Sequence, residues 1–584
     1  MSPNLKALAK DTILRAIETA EVVSDPLAGL VERTARNAGA PFATDVLQAL
    51  AVLKRDEPAA FETLRANLKA AGCRVTALDA AIDGESSDRP ARGPNQADIL
   101  IGLALPAALF HDAEGRAYAD LVINGSRQTV AVRGGGFRDW LLREYFKDQG
   151  GAPNADALQS ALSLIEAKAR YDAPERPVYL RVGGHDGKLY LDLCDSAWRA
   201  VEIDPSGWRV VDSPPVRFRR TKGMQALPAP EPGGSIDTLR RFLNVETDAD
   251  FVLVVSWLLA AFRTQGPYPV LAVSGEQGAA KSTFTAMIRA LIDPNMAALR
   301  PMPRDERDMF VAANNSHVMA FDNVSAISPT VSDTLCRLAT GGGFAARQLY
   351  SDQDEVLFYA VRPVILNGIE EVVARADLAD RALFLKLLPI PDDRRRPEAE
   401  LRSAFETERP RILGVLLDAV AKGLAELPRT KLDKLPRMAD FAVWATACET
   451  ALWPSGTFSA AYSGNREAVV DDVIDADPVA AAVRALMQAR TGWAGSATDL
   501  LAVLASLIGD RAARSSDWPS APQALSRRLT RAATVLRKVG IATEFIREGH
   551  YRSRIIRITN VGAGSDNEEP SASSAPSADA AKAK

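Results

Sequence analysis

A chain of 584 residues is long enough for about four average domains. With 47% of its residues from AVILMFWYC and 25% from DEKR, it is excluded from the collagen-like, wholly disordered and disulfide-scaffold classes. Its 70 Lys and Arg against 74 Asp and Glu leave a net charge of −4, so any nucleic-acid contact must come from local patches. Cys73, Cys194, Cys336 and Cys448 stand far apart with no CxxC pair, which indicates neither a zinc site nor a disulfide framework. A reduced, cytoplasmic setting is the expectation. The longest apolar run, Phe251 to Phe262, is too short to span a bilayer, and the first residues lack the basic-then-apolar plan of a signal peptide. No membrane partner is expected.

Residues 1–95 read as helical. Leu5, Leu8, Leu14 and Ile17 follow helical spacing, as do Val46, Leu47, Leu50 and Leu53. From 96 to 223 short apolar segments broken by glycine predict a mixed α/β module: Ile99–Leu105, Val130–Arg133, Val178–Val182, Lys188–Cys194 and Trp208–Val211. Trp198 and Trp208 are its expected core anchors. Near its end Arg217, Arg219, Arg220 and Lys222 form a run of positive charge, either a solvated turn or a phosphate-contacting strip. Residues 224–235 concentrate proline and glycine and read as a linker.

Residues 236–390 alternate helical and short apolar strand patterns, the signature of a parallel sheet with crossovers. Within them Val270-Leu-Ala-Val-Ser runs into Gly275-Glu276-Gln277-Gly278-Ala279-Ala280-Lys281-Ser282-Thr283 and then into a helical pattern. A triphosphate needs backbone N–H groups turned toward it, a helix N-terminus behind it and one lysine at its outer phosphates. Lys281 supplies the lysine, and the Ser282 hydroxyl is placed for a magnesium ion. The spacing fits GxxxxGK[ST] except that Ala280 replaces the last glycine, where a methyl crowds the loop if the backbone needs positive φ. ATP and Mg2+ are the expected ligands. His317-Val-Met-Ala-Phe is a strand pattern ending in Asp322-Asn323, a carboxylate for the magnesium shell. Arg362-Pro-Val-Ile-Leu is a second, ending in Asn367, an amide able to orient water or sense the γ-phosphate.

These residues resemble superfamily 3 helicases, AAA+ P-loop ATPases of phage, plasmid and viral replication, and among them the phage-type primase-helicases. The likeness rests on the loop Gly275–Thr283, a Walker B strand ending at Asp322, and Asn367 as sensor 1. Between them Gly341-Gly-Gly343-Phe-Ala-Ala-Arg347-Gln-Leu349-Tyr350 is similar to the B′ region, with Arg347 and Tyr350 facing single-stranded DNA. By its residues this stretch reads as a hairpin, Phe344–Leu349 with Glu355–Ala360, and Asp352 and Asp354 put negative charge near its tip. Asp377-Leu-Ala-Asp380-Arg381 is similar to the arginine-finger segment, so Arg381 either serves a neighbour's ATP or pairs with Asp377 or Asp380. The resemblance implies a homo-hexameric ring that draws DNA through its centre. Where such enzymes carry a second acid beside the Walker B carboxylate, this chain has Asn323, an amide that orients water but accepts no proton. Glu276 and Glu370 are the substitutes in reach of the sequence. No priming motif precedes the loop, so a primase would be a separate protein.

Residues 391–480 return to helix, and 481–560 form a compact basic unit. Ser496-Ala-Thr-Asp499 is a capping box opening a helix. A second helix from Pro522 turns Leu525, Leu529, Leu536 and Val539 inward and carries Arg527, Arg528, Arg531, Arg537 and Lys538. Two strand patterns follow, Ile541–Ile546 and Tyr551–Thr559, the latter with Arg552 and Arg554. From Ala521 to Asn560 nine Lys and Arg face two Glu, a local charge of 9 − 2 = +7. Helix, helix and β-wing is the winged helix-turn-helix plan, expected to bind duplex or forked DNA. The tail, 561–584, has the composition of disorder. The fold class expected overall is α/β, a P-loop ATPase core with N-terminal helical and mixed α/β modules and a C-terminal winged helix. The function expected is an ATP-dependent DNA helicase or translocase for replication of a phage or mobile element. A nucleotide-gated DNA-binding switch that does not unwind is the alternative, while a metabolic kinase finds no substrate site and conflicts with the basic C-terminal unit.

Overall fold

The computed structural model describes residues 25–85, 95–325, 327–347, 355–368, 376–509, 515, 518–548 and 553–561. Leu5 to Ile17, Tyr350, Glu370, Arg552 and the tail from 562 lie outside them. The chain forms two compact units, 1–102 with 151–161, and 103–150 with 162–584. In the first, helices Leu30–Arg36, Thr44–Asp56, Pro58–Ala70 and Val75–Glu85 bury Leu30, Val46, Leu50, Phe61, Leu68 and Leu78 against one another.

The second unit opens with two antiparallel sheets. Ala108–His111, Ala117–Ile123 and Ser126–Ala131 form one; Val182–His185, Lys188–Asp192, Ala200–Asp204 and Gly207–Val211 form the other, in chain order. The Ile99–Leu105 segment is not a strand: most of it lies in the helix Gln96–Leu103. Trp198 and Trp208 are half-buried rather than central. The Arg220 guanidinium lies 3.8 Å above the Trp198 ring, and Trp208 Nε1 donates to Asp418 at 2.8 Å.

The apolar run Phe251 to Phe262 is a core helix. Helix α1 (Asp248–Ala261) is opened by the Thr247 hydroxyl, which accepts from the Asp250 amide at 3.0 Å, and every residue from Phe251 to Ala261 is buried. No helix among the described residues is long and apolar enough to cross a membrane. Strand β1 (Val270–Gly275) leads into helix α2 (Lys281–Ala290); then come β2 (Met319–Val324), β3 (Val364–Gly368) and β4 (Ala382–Leu387). They form one parallel sheet in the order β2-β3-β1-β4. Side chains alternate across it with the period of two that a strand imposes. Leu271, Val273, Ala320, Ile365, Leu383 and Leu385 pack on one face with α1 and α2. Val270, Met319, Phe321, Val364 and Leu366 pack on the other, with helices Glu306–Asn314 and Pro329–Thr340. Because both faces are covered, the strands are nearly continuous apolar runs. Gly343–Arg347 pairs antiparallel with Glu355–Tyr359.

Residues 224–235 contain no helix or strand, but they are not a loose tether. The amides of Gln225, Leu227 and Glu231 donate to the carbonyls of Pro294, Leu193 and Pro410, and Leu227 is buried. This strap crosses the long helix α3 (Glu398–Glu426) at Gly414, where a Cβ would stand 1.9 Å from the Glu231 oxygen. Only glycine permits that approach. Further on, α4 (Pro478–Gln488), β5 (Gly492–Gly495), α5 (Ala497–Ile508), α6 (Pro522–Lys538), β6 (Ile541–Glu548) and β7 (Ser553–Asn560) enclose a core of their own. Val479, Val483, Leu500, Leu504, Leu525, Leu529, Leu536 and Ile558 fill it, and the sheet is antiparallel in the order β5-β7-β6. Ser496 and Asp499 form the reciprocal cap at the start of α5.

Candidate functional site at the strand ends

The parallel sheet brings Gly275, Asp322 and Asn367 to one edge, at the C-terminal ends of three strands, where open α/β sheets bind ligands. The turn between β1 and α2 holds three residues at positive φ: Gly275 at 148°, Gly278 at 87° and Ala280 at 58°. A Cβ at Gly275 would meet the Leu387 oxygen at 2.4 Å, so the first glycine is sterically required. Ala280 does adopt the left-handed backbone, at a strain of about 1–2 kcal/mol for a residue with a Cβ. Ala280→Gly should therefore stabilise the folded chain by about 0.5–1 kcal/mol, once the larger unfolded-state entropy of glycine is deducted. A lower thermal midpoint in that variant would show that the loop depends on the methyl.

Ala280 is also the N-cap of α2 and offers no side-chain oxygen to its free amides. The first N–H groups of the helix thus face outward beneath an exposed loop of Glu276, Gln277 and Gly278. Lys281 Nζ donates to the Gly275 and Glu276 carbonyls at 2.6 and 2.8 Å, which keeps its charge over the same loop. Ser282 Oγ donates to Asp322 Oδ2 at 2.9 Å. Asn367 Nδ2 donates to the other carboxylate oxygen, Oδ1, at 3.2 Å. Thr283 is half-buried beside them. Uncapped amides, an ammonium, and a hydroxyl against a carboxylate suit a phosphate chain with a hard divalent cation. Lys281 and the amides would hold the phosphates, Ser282 and Asp322 the ion. Among the described residues no cluster of three or more His, Cys, Asp or Glu could hold a metal by itself, so phosphate and water would complete the shell.

One member of the site is not legible as a motif. Thr285, buried on α2, donates from Oγ1 to Asn367 Oδ1 at 2.6 Å. That bond fixes the Asn367 amide so that its nitrogen faces Asp322. The available signal was a hydroxyl one helical turn beyond Lys281, on the side facing the strands. Asn367 itself is fully buried, which makes this orientation costly to leave unmade.

Asn323 is placed differently from its neighbour. Its φ is 56°, the register of β2 against β3 shifts between Phe321 and Val324, and its side chain is exposed. The position is a bulge, and asparagine tolerates the left-handed backbone better than most residues. Arg381 stands far from the loop of its own chain. Val270 pairs with Ala382 and Gly275 with Leu387, so Arg381 sits at the opposite strand end, about 20 Å away by strand rise. There it is paired with Asp377, which also accepts from Arg437 at 2.9 Å. Asp380 joins the same knot, bonded to Arg466 at 2.6 Å and to Lys538 of α6. Burial pushes the Asp380 carboxyl up, but the bonds from Lys538 and Arg466 outweigh it and hold the group below its ordinary value.

The basic residues of the sequence divide into engaged and free. Arg217 is bonded to Asp120 at 2.8 Å, Arg220 to Asp192 at 2.6 Å, and Arg219 to the Asn314 carbonyl. The run at 217–222 is thus mainly internal and forms no outward strip; Lys222 alone is exposed. On α6, Arg528 reaches Asp477 at 3.3 Å and Lys538 reaches Asp380, while Arg527, Arg531 and Arg537 are exposed, as is Arg554 on β7. Arg347 ends the strand Gly343–Arg347, with its side chain outside the described set.

In comparison with solved structures, the chain is similar to the apo NrS-1 C-terminal region at 13% identity, covering 79% of this chain and 99% of that one, with a TM-score of 0.38. It is similar to "SCCmec type IV Cch - active helicase" at 11% identity, covering 78% and 92%, with a TM-score of 0.43. No curated protein matches. Residues 236–476 match the family model of the actinomycete integrative conjugative element replication protein. With 479–575 matching the C-terminal domain of that same protein, both the strand-end site and the basic unit after it lie within stretches similar to the replication protein of a mobile element.

Proposed function

We propose that the chain is an ATP-dependent DNA helicase or translocase of the superfamily 3 type, acting in replication of an integrative element. The observation that carries this is the convergence of Lys281, Ser282, Asp322 and Asn367 at one sheet edge, with Thr285 locking the last of them. In this reading 236–390 is an AAA+ P-loop domain, and Lys281 turns from the Gly275 and Glu276 carbonyls to the outer phosphates. A magnesium ion, when bound, withdraws charge from the β- and γ-phosphates. Asp322 and Ser282 position themselves for it, and Asn367 directs an N–H toward the same place. Asn323, exposed on its bulge, orients water without taking its proton, so basal hydrolysis is slow. Because Arg381 is at the far end of the strand from its own loop, it acts on a neighbour's nucleotide, which requires a ring; we take a hexamer.

The three helices α4, α5 and α6 with β5, β7 and β6 support a winged helix, with α6 presented to duplex or forked DNA through Arg527, Arg531 and Arg537. Changing these three to alanine should reduce the slope of log K against log salt by roughly three, at about one unit for each phosphate no longer neutralised. An unchanged slope would assign the unit a structural role. Arg528→Ala, which removes a residue held by Asp477, should change the slope much less.

A second reading keeps nucleotide binding and drops unwinding: a DNA-binding switch gated by ATP. The amide at Asn323 favours it. Hydrolysis of ATP with and without single-stranded DNA separates the two. Strong stimulation supports the motor, whereas tight binding with no turnover in either condition overturns it.

A further inference from the structure

The opposite edge of the parallel sheet holds a polar cavity of about 150 Å³. The cavity is lined by the residues two positions before three of the four strands: Tyr268 before β1, His317 before β2 and Arg362 before β3. Arg219, Tyr179, Tyr118 and Arg116 also line it, with Glu114 its exposed carboxylate. Two of the guanidiniums are committed only to neutral partners. Arg362 donates from Nε to the Ala313 carbonyl and from Nη1 to the Val361 carbonyl, each at 2.9 Å. Arg219 donates to the Asn314 carbonyl and, at 3.4 Å, to Asn315 Oδ1.

Among the described residues neither forms an ion pair, and the two repel each other across the cavity. Burial holds both below the usual guanidinium value, but arginine stays charged in proteins. His317 adds no charge, since burial drives it down to about 4 while its Nε2 contacts the Ala261 carbonyl at 2.7 Å. Asp112 is turned to its own loop, accepting from the Glu114 and Arg116 amides at 3.1 and 2.8 Å. The lining thus sets Arg116, Arg219 and Arg362 against Asp112 and Glu114. Although Asp112 attracts Arg219 and Asp293 attracts Arg362 at a distance, no carboxylate is bonded to either guanidinium, so an anion between them supplies the charge-assisted bonds they lack. A water needs roughly 10–15 Å³ of such space, so the cavity is roomy enough for a tetrahedral oxyanion.

We propose that this cavity binds a single phosphate group, held by Arg219 and Arg362 with Arg116 in the same lining, on the sheet edge remote from Lys281. The same chemistry is offered by free orthophosphate and by the terminal phosphomonoester of a DNA strand. Its occupant joins the starts of the three strands whose far ends carry Gly275, Asp322 and Asn367, and so bears on how those ends are aligned.

The test uses the full chain carrying Lys281→Ala, so that phosphate at the loop does not contribute, with equilibrium dialysis of labelled orthophosphate. One saturable site per chain is expected, weakened about tenfold or more by Arg219→Gln or Arg362→Gln, as loss of a charge-assisted bond requires. Removing the exposed carboxylate with Glu114→Gln should tighten binding, and Arg116→Gln should loosen it. These two residues are exposed and half-exposed, so their opposite shifts remain readable if the deeper variants fail to fold. Displacement of label by a 5′-phosphorylated oligonucleotide, but not by its 5′-hydroxyl twin, assigns the site to a strand end; displacement by neither assigns it to the free ion. Absence of saturable binding overturns the proposal, and so does binding that ignores Arg219→Gln and Arg362→Gln in chains with an unchanged thermal midpoint. Shifts of Glu114→Gln and Arg116→Gln in the same direction overturn it as well.

Discussion

Lys281→Ala is expected to lower ATP affinity on the order of 10²-fold, because one lysine supplies the charge-assisted bonds to the outer phosphates, at about 1.5–3 kcal/mol each. The Arg395 guanidinium also comes near Gly278, but Lys281 Nζ already lies 2.6 and 2.8 Å from the loop carbonyls and needs only a turn of its flexible stem to reach a phosphate. The fold should be indifferent, since both bonds are local to an exposed loop. Asp322→Ala separates the two halves of the site. It should leave measurable ATP binding but make it insensitive to magnesium, and it takes the carboxylate partner from Ser282 Oγ and from Asn367 Nδ2, which keeps only the Lys281 carbonyl at 3.4 Å. Filter binding over a magnesium series reads both. Unchanged affinity in the lysine variant would move the nucleotide site elsewhere in the chain.

Arg381→Ala is expected to reduce hydrolysis on the order of 10³-fold if it serves as a finger in trans, and mixing restores activity. Lys281→Ala spoils a subunit's own loop but leaves its Arg381 for the next; Arg381→Ala does the reverse. In randomly mixed rings of equal parts about one interface in four joins an intact loop to an intact finger, so turnover should reappear. Arg381 also pairs with Asp377, and loss of that pair could disturb the start of β4. Arg381→Lys, which keeps the charge beside Asp377 but not the planar fork, serves as the control: its thermal midpoint should match the native chain while its hydrolysis stays low. Mixed rings verified by size that remain inactive would confine Arg381 to the knot it forms with Asp377, Arg437 and Asp380.

What sequence revealed of the site was whatever the chemistry demands of adjacent residues. A glycine loop, a lysine and a hydroxyl must lie within one turn of backbone, and strands of this type end in polar residues where they reach the ligand. What it hid was tertiary. Thr285 matters only because α2 packs against β3, and nothing in its neighbours announces Asn367 as its partner. The arginines at 217 and 220 look like an outward strip until the fold brings Asp120 and Asp192 to them. Charge counting overstated α6 for the same reason, since Asp477 and Asp380 come from elsewhere to hold Arg528 and Lys538. Asn323 reads as a missing base by comparison with a motif. Its backbone supplies a reason of its own for being asparagine, a bulge at positive φ.

The region 224–235 shows composition and packing parting company, and this bears on how the protein can be divided. A fragment begun at Ile236, where the family match begins, would discard the strap and leave the furrow at Gly414 open to water. It would also uncover the apolar surroundings of Leu227 and leave the Pro294 and Pro410 carbonyls without their donors. The homology boundary and the mechanical boundary therefore differ by at least a dozen residues. An excised ATPase piece that begins ahead of Met224 keeps its girdle, and one that begins at the match gives up part of its own wall.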